Sequence, residues 1–389
     1  MNNLIYLDNQ STTKTDPRVI KDMLPYFNEY YGNAESIYHP IGIKARDAVV
    51  DSRSIIAKSI KAQSKEIIFT SGSTESINLV IRGIISGSKL KKKHIITQKT
   101  EHKSVLETLR SLKHDNVEVT YLPVNHEGLL DPKKVEKEIK TETILVILMH
   151  ANNEIGTIQP IEKVGSLCRK RNILFFVDAS QSFGKLPIDV NALNIDLLAA
   201  TSHKIYGPKG IGFLFIKSKK PGIKINTFIT GGGHERGIRS GTLAVPLIVG
   251  FGKAISLSLK ELDKESRRLK GLQKKIINQI KKAHPDSILN GTHEFRLYNN
   301  INFTFPGIDA ETLISKMKSV ACSTGSACSN SNFEPSHVIK ALGHSDEFAH
   351  SAVRFSLGRY NSEYEVDNAL KEIINVVQLM KNKLPRFKK

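Results

Sequence analysis

Three stretches of the 389-residue chain carry side chains that suit one cofactor. TSGSTES (70–76) places Gly72, Ser73 and Thr74 between an apolar strand and a helix. Free N–H groups at that helix start, with the hydroxyls, suit a phosphate. The same residues also read as a plain cap with Glu75 in the first turn. Asp178 directly follows the apolar run ILFFV. A carboxylate at the carboxyl end of a buried parallel strand lies where α/β sheets bind ligands. It can accept from a protonated ring nitrogen, or cap the turn that follows. Gln181, three residues on, faces the same space. In SHKIYGPKGIG (202–212), Lys204 sits beside His203 at a strand-to-loop junction. A desolvated lysine there can form a Schiff base. Phosphate cradle, pyridinium partner and carbonyl-capturing lysine are the handles of pyridoxal phosphate.

Other stretches add to this set. Cys328 lies in STGSACSNSNFEPSHV (323–338), among small polar residues. A thiol there reads as an exposed, movable nucleophile, or as a small residue in a tight turn. Cys322, in SVAC, and Cys168, on an amphipathic helix, read as packing. His102, in TEHKS, follows a strand and opens a helix, where it can stack on a ring, move protons or cap. NNEIG (152–156) and GGGHERGIRSGT (231–242) complete the set. The latter carries two arginines and Thr242, and reads as a close-approach loop at a ligand or subunit boundary.

The elements that must position these groups alternate between helix and strand. Helices are expected over 17–31, with Asp16 as cap, and over 42–61, from about 74, over 102–113, near 135 and over 161–171. Strands are expected over 66–70, 94–97, 117–122, 143–150 and 173–177. That alternation predicts an α/β fold with a mostly parallel sheet covered on both faces. After about residue 250 the pattern changes to a long helix over 254–283, a strand over 299–305 and helices over 309–318 and 363–381. These shifts divide the chain into a large cofactor-binding domain, 15–255, and a small α+β domain. The small domain combines 1–14 with 256–389 and carries the cysteine loop.

Composition excludes several classes. The length allows about two or three domains. Three cysteines and no CxxC argue against a disulfide scaffold or a Cys-rich zinc site, so no resident metal is expected. No apolar run approaches the ~20 residues of a membrane span, so no membrane partner is expected. The start, MNNLIYLDNQSTT, has neither a signal peptide nor an Arg-rich presequence, which makes cytoplasm the default compartment. The formal charge is 57 − 38 = +19. It reads as contact with an anion such as tRNA, or as a Lys-, Ile- and Asn-rich composition. The basic runs are short, scattered and free of interleaved aromatics.

Taken together, YLDNQSTT, FTSGSTES, KTEHKS, HANNEIG, VDASQS, SHKIYGPKGIG, GGGHERGIRSGT, STGSACS and RFSLGR give the chain a family likeness. It resembles the cysteine desulfurases of the housekeeping iron–sulfur type, within the class V aminotransferases, from about Tyr6 to Tyr360. The resemblance implies a fold-type I transferase in which Lys204 holds pyridoxal phosphate. Asp178 would pair with the ring nitrogen, Gln181 with the ring oxygen, and His102 would lie over the ring. Gly72, Ser73, Thr74, Thr201 and His203 would cradle the phosphate, with Thr242 arriving from the other subunit of a homodimer. Asn33, Asn153 and Arg354 match substrate-carboxylate positions; a guanidinium fork suits a carboxylate. Cys328 matches the sulfur acceptor, which would take sulfur from L-cysteine as a persulfide while alanine leaves. The implied recipients are an iron–sulfur scaffold protein and tRNA-thiolation partners, and Cys328 would meet an iron–sulfur cluster only transiently. Ser202 stands where a glycine is common, and GNAES replaces a GNPSS-like turn. The chain ends at LPRFKK, where well-studied members carry a longer scaffold-docking tail. Another pyridoxal-phosphate enzyme of the same fold, such as a selenocysteine lyase or an aminotransferase, and a catalytically idle basic protein are the competing expectations.

Overall fold

The computed structural model describes residues 4–112, 116–218, 222–324 and 334–383. In chain order the strands are β1 (Ile5–Tyr6), β2 (Ile67–Thr70), β3 (Lys93–Gln98), β4 (Val117–Leu122), β5 (Thr143–Met149) and β6 (Leu174–Asp178). They continue as β7 (Leu197–Thr201), β8 (Gly212–Ile216), β9 (Ile288–Leu289), β10 (Asn300–Thr304), β11 (Val320–Ala321) and β12 (Ala352–Ser356). The helices are α1 (Pro17–Met23), α2 (Pro25–Asn28), α3 (Pro40–Ser59), α4 (Ser73–Gly87), α5 (Lys103–Arg110) and α6 (Pro132–Glu138). After them come α7 (Ile161–Arg171), α8 (Val245–Ala283), α9 (Ala310–Lys316), α10 (His337–Ala341), α11 (Asp346–His350) and α12 (Glu363–Lys381).

Seven strands form one sheet in the order β2-β8-β7-β6-β5-β3-β4. Every pair in it is parallel except the two made by β8, which runs against β2 and β7. β5, β6 and β7 are almost wholly buried, as a sheet covered on both faces requires. One apolar core holds β2, β6 and β7 side chains against α3, α7 and the first half of α8. A second, on the opposite face, is built largely from α4 and α5. A third joins β1, β10, β12, α9 and α12 to the second half of α8. α8 is 39 residues long, so it spans about 58 Å at 1.5 Å per residue.

The expected single helix over 17–31 is two helices. Pro25 has no N–H to extend α1 and instead opens α2. α8 starts at Val245, nine residues before its expected start at 254, because Pro246 is tolerated in a first turn. The strand implied by the junction before Lys204 is β7, whereas β8 and β12 carry no sequence expectation.

β8 crosses close beside the β2–α4 turn. A Cβ at Gly212 would stand 2.7 Å from the Ala200 carbonyl oxygen and 2.7 Å from Gly72 Cα. Backbone cannot retreat as a flexible side chain does. Gly212→Ala is predicted to cost about 1–3 kcal/mol of stability. Urea unfolding would read this as a lower midpoint at unchanged slope; an unchanged midpoint would refute the close approach.

Candidate active site

The carboxyl ends of β2, β3, β5, β6 and β7 meet in one cleft of about 640 Å³, within the usual size of a cofactor pocket. Gly72, Ser73, Thr74, His102, Asn153, Asp178, Gln181, Thr201, His203, Lys204 and Arg354 all line it. Asn33 and Thr242 do not. Both are exposed, and Asn33 Oδ1 accepts the Glu35 N–H at 3.0 Å. Cys328 lies in 325–333, outside the described residues.

α4 begins at the cleft, and no side chain caps its Gly72 start. Its first-turn N–H groups are therefore available to an anion. Glu75 turns away from them to accept the Ser71 N–H at 2.8 Å and the Arg239 guanidinium at 2.8 Å. That ion pair lays the glycine-rich loop 231–242 beside the turn. Glu235 anchors the same loop to β2 by accepting the Phe69 N–H at 2.6 Å and pairing with Arg53.

Asp178 ends β6 and is 5% exposed. Its Oδ1 accepts the Ser180 N–H at 2.9 Å. Ser180 Oγ lies 2.5 Å from that oxygen and 2.7 Å from Ser73 Oγ, so one hydroxyl links the carboxylate to the start of α4. Lys204 closes the single 3₁₀ turn that follows β7. Its Nζ donates to the carbonyls of Gln10 at 2.5 Å and Ser11 at 2.6 Å. Gln181 Nε2 donates to the same Gln10 carbonyl at 3.0 Å, and its Oε1 is buried in the cleft wall with no protein partner.

The 10–16 segment lies along the lysine turn as a strap. Thr13 donates its N–H and its Oγ1 to the His203 carbonyl, both at 2.9 Å. Thr12 Oγ1 meets His203 Nδ1 at 3.1 Å. Burial, reinforced by Lys204, Lys209 and Lys185, pushes His203 down to about 3, so its ring is neutral. His102 is also held below the usual histidine range, first by burial, with Lys204 acting the same way and Asp178 opposing. His102 Nδ1 accepts the Ser104 N–H at 3.1 Å, which leaves the ring proton of the neutral form on Nε2.

Arg354, on β12, is 3% exposed. Nη1 donates to the Asn153 carbonyl at 2.8 Å; Nη2 meets Asp8 Oδ1 at 2.8 Å, Ser11 Oγ at 2.6 Å and Ser323 Oγ at 2.8 Å. Nε is buried without a partner. Ser323 and Arg354 also exchange backbone hydrogen bonds. The described chain therefore enters 325–333 at the arginine. On the far side, Ser336 Oγ donates to Glu154 Oε2 at 2.5 Å and His337 Nε2 donates to the Glu101 carbonyl at 2.9 Å.

The set fits pyridoxal phosphate. Gln181 Oε1 is an orphaned polar atom in the wall, the α4 start is uncapped, and an amine and a carboxylate face one cavity. Sequence reasoning missed Ser180, Glu101, Asp8 and the Gln10–Thr13 strap. The strap works largely through backbone carbonyls, which have no residue signature.

Glu101 is fully buried. Oε1 accepts the Met149 N–H at 2.8 Å, while Oε2 has no partner. Burial, with the Asp178 charge adding, raises its pKa well above the usual carboxyl range. Folding therefore takes up a proton at this site, and stability falls as the pH rises past the ordinary Glu value of about 4.3. Glu101→Gln keeps the acceptor and removes the titration. Thermal melts are predicted to show the variant gaining on the wild type as pH climbs from about 4 to neutrality. A constant gap would contradict a neutral Glu101.

Residues 5–369 match the family model described as Aminotransferase class-V. The cysteine desulfurase IscS of Rickettsia typhi (strain ATCC VR-144 / Wilmington) is 46% identical over 381 residues, covering 98% of this chain and 93% of the relative. Among solved structures, a NifS-like protein superposes with a TM-score of 0.90 at 36% identity, covering 97% of this chain and 100% of that one. SspA in complex with cysteine superposes at 0.81 and 36% identity, covering 92% and 99%. With a family match over nearly its whole length and cysteine desulfurases among its near relatives, the chain belongs to the class-V aminotransferase family.

Proposed function

We propose that the protein is a pyridoxal-phosphate-dependent cysteine desulfurase. It moves the sulfur of L-cysteine onto Cys328 as a persulfide and releases L-alanine. The observation that carries this reading is the convergence of Lys204, Asp178, His102, Arg354 and the uncapped start of α4 on one cleft.

Bound pyridoxal phosphate supplies a carbonyl that captures amines and a ring that withdraws electrons from the substrate carbons. The residues do the rest. Lys204 would hold the cofactor, and its amine would take and return the substrate α-proton. Asp178, fixed by Ser180, would accept from a protonated ring nitrogen. Gln181, with its unpartnered Oε1, and neutral His102 would contact the ring. Ser73, Thr74, Thr201 and His203 would hold the phosphate. Arg354 binds the substrate carboxylate beside Asn153. No described contact supports Asn33 as a substrate ligand.

The thiolate of Cys328 attacks the substrate sulfur, forming a sulfur–sulfur bond as the carbon–sulfur bond breaks. The carbon chain gains a proton and leaves as alanine. Burial pushes the other two thiols, Cys168 and Cys322, up to about 12, so neither offers a thiolate near neutrality.

Further parts of the proposal concern assembly and destination. The persulfide supplies iron–sulfur scaffold proteins and tRNA thiolation in the cytoplasm. Residues 15–255 work as the cofactor-binding unit, and 1–14 with 256–389 as the smaller one. The protein works as a homodimer. Large apolar side chains are exposed from Ile20 to Ile55, among them Leu24, Phe27, Tyr31 and Tyr38, and such a patch marks an interface. Thr242, exposed outside its own cleft, then completes the partner's phosphate site. Thr242→Val is predicted to weaken cofactor affinity about tenfold or more in a protein that light scattering finds dimeric, since hydrogen bonds to charged groups are worth about 1.5–3 kcal/mol. Unchanged affinity would remove Thr242 from the site.

The deciding experiment supplies L-cysteine to cofactor-loaded protein and to Cys328→Ala, measuring alanine and protein-bound persulfide. The wild type should make both, and the variant should lose at least about 10³-fold, as expected for a covalent nucleophile. Full alanine output from Cys328→Ala would favour another pyridoxal-phosphate reaction.

A further inference from the structure

Seven described non-glycine residues have a left-handed backbone, and Tyr206, at φ 65°, is the only aromatic among them. Three of the others are asparagines, which tolerate that region; a bulky ring does not. Such strain persists only where surrounding contacts over-determine it, and it gathers at functional sites. Tyr206 stands two residues after Lys204.

Its contacts are of that kind. The N–H donates to Thr13 Oγ1 at 2.8 Å, and the carbonyl accepts the Asp16 N–H at 2.9 Å, so both backbone groups are clamped by the strap. The buried phenol oxygen donates to Glu265 at 3.2 Å and accepts the Arg359 N–H at 2.7 Å. The Arg359 guanidinium lies 4.2 Å from the ring centroid and is itself held by Asp16 and Glu265, both at 2.8 Å. Glu265 sits on α8, and Arg359 follows β12. Elements of three regions therefore converge on one side chain that does not itself line the cleft.

We propose that Tyr206 is a positioning residue for Lys204: its anchored left-handed turn reverses the chain just past the lysine and fixes where the amine stands in the cleft. This inference rests on the proposed role of Lys204 and extends it to a residue that acts only through that lysine. The same strap then serves both ends, since Gln10 and Ser11 take the lysine amine while Thr13 and Asp16 hold the turn behind it.

Tyr206→Phe keeps the ring and the turn but removes the oxygen that joins Arg359 to Glu265. Two readouts address the lysine itself. In cofactor-free protein, the rate at which an amine-selective acylating reagent labels Lys204 is followed by peptide mass spectrometry. The rate at which added pyridoxal phosphate develops visible absorbance is then recorded. Both rates are expected to change by about tenfold, the scale of a displaced reacting group, and kcat should fall while KM for L-cysteine stays within about twofold. A folded Tyr206→Phe with wild-type labelling and capture rates overturns the proposal, even if its melting temperature drops. Should Tyr206→Phe not fold, Glu265→Gln, which keeps the tyrosine and weakens one partner, is expected to alter labelling at least threefold; an unchanged rate overturns the proposal equally. If labelling responds but neither wild type nor variant uses L-cysteine, Tyr206 keeps its role and the desulfurase reading fails.

Discussion

The site depends on holding a lysine amine still at the open end of a buried parallel sheet. A lysine stem is long and its rotamers many, so a solvated Lys204 would sample far more space than one bond-forming geometry allows. The fold removes that freedom with backbone. Gln10 and Ser11 present carbonyls to Nζ, and Thr12 and Thr13 lock the adjacent His203. Those carbonyls are available because β1 pairs with β11 in a different sheet, and Gln10 is pinned again through its side chain to Asn300 at 2.6 Å. The lysine geometry is therefore linked to the third apolar core, far along the sequence.

Around that amine the charges are sorted by burial. Asp178 is held by Ser180, while Glu101, just past β3 two strands over and without solvent, has its pKa raised well above the usual carboxyl range. Cross-strand register makes the neighbours: Met149, whose N–H holds Glu101, is opposite Asp178. His102 and His203 are held below the usual histidine range first by burial; Lys204 pushes both the same way, and Lys185 adds to the effect on His203. Arg354 is stored against Asp8 and Ser323, beside the point where the chain enters the cysteine-bearing segment. Amine, carboxylate, imidazole and guanidinium share one cavity, which is the set of groups that acid–base work on an amino acid requires.

Much of this was legible in the sequence because it is local. An apolar run ending in Asp, a strand followed by Gly-Ser-Thr, and a lysine before a glycine turn each reveal a strand end, and strand ends of parallel sheets share an edge. What was not legible depends on distant backbone. The strap has no side-chain signature for its carbonyls, and Ser180 matters only because Ser73, at the start of α4, comes beside it. β8 has no signal of its own because GFLFI is a short apolar run beside the lysine motif. β12 was passed over because a buried arginine interrupts it. Asn33 and Thr242 lie outside this chain's own cleft, where no pattern within one chain could place them. Pro25, with no N–H to continue α1, marks the break between α1 and α2.

The claim that all of this serves Lys204 can be met head-on by chemical trapping. Borohydride reduction of the cofactor-loaded protein, followed by proteolysis and peptide mass spectrometry, fixes the cofactor to whichever amine holds it. The account predicts a single pyridoxyl group on Lys204 and none on Lys185 or Lys209, the nearby amines. A label on another lysine, or a cofactor that leaves intact after reduction, would contradict it.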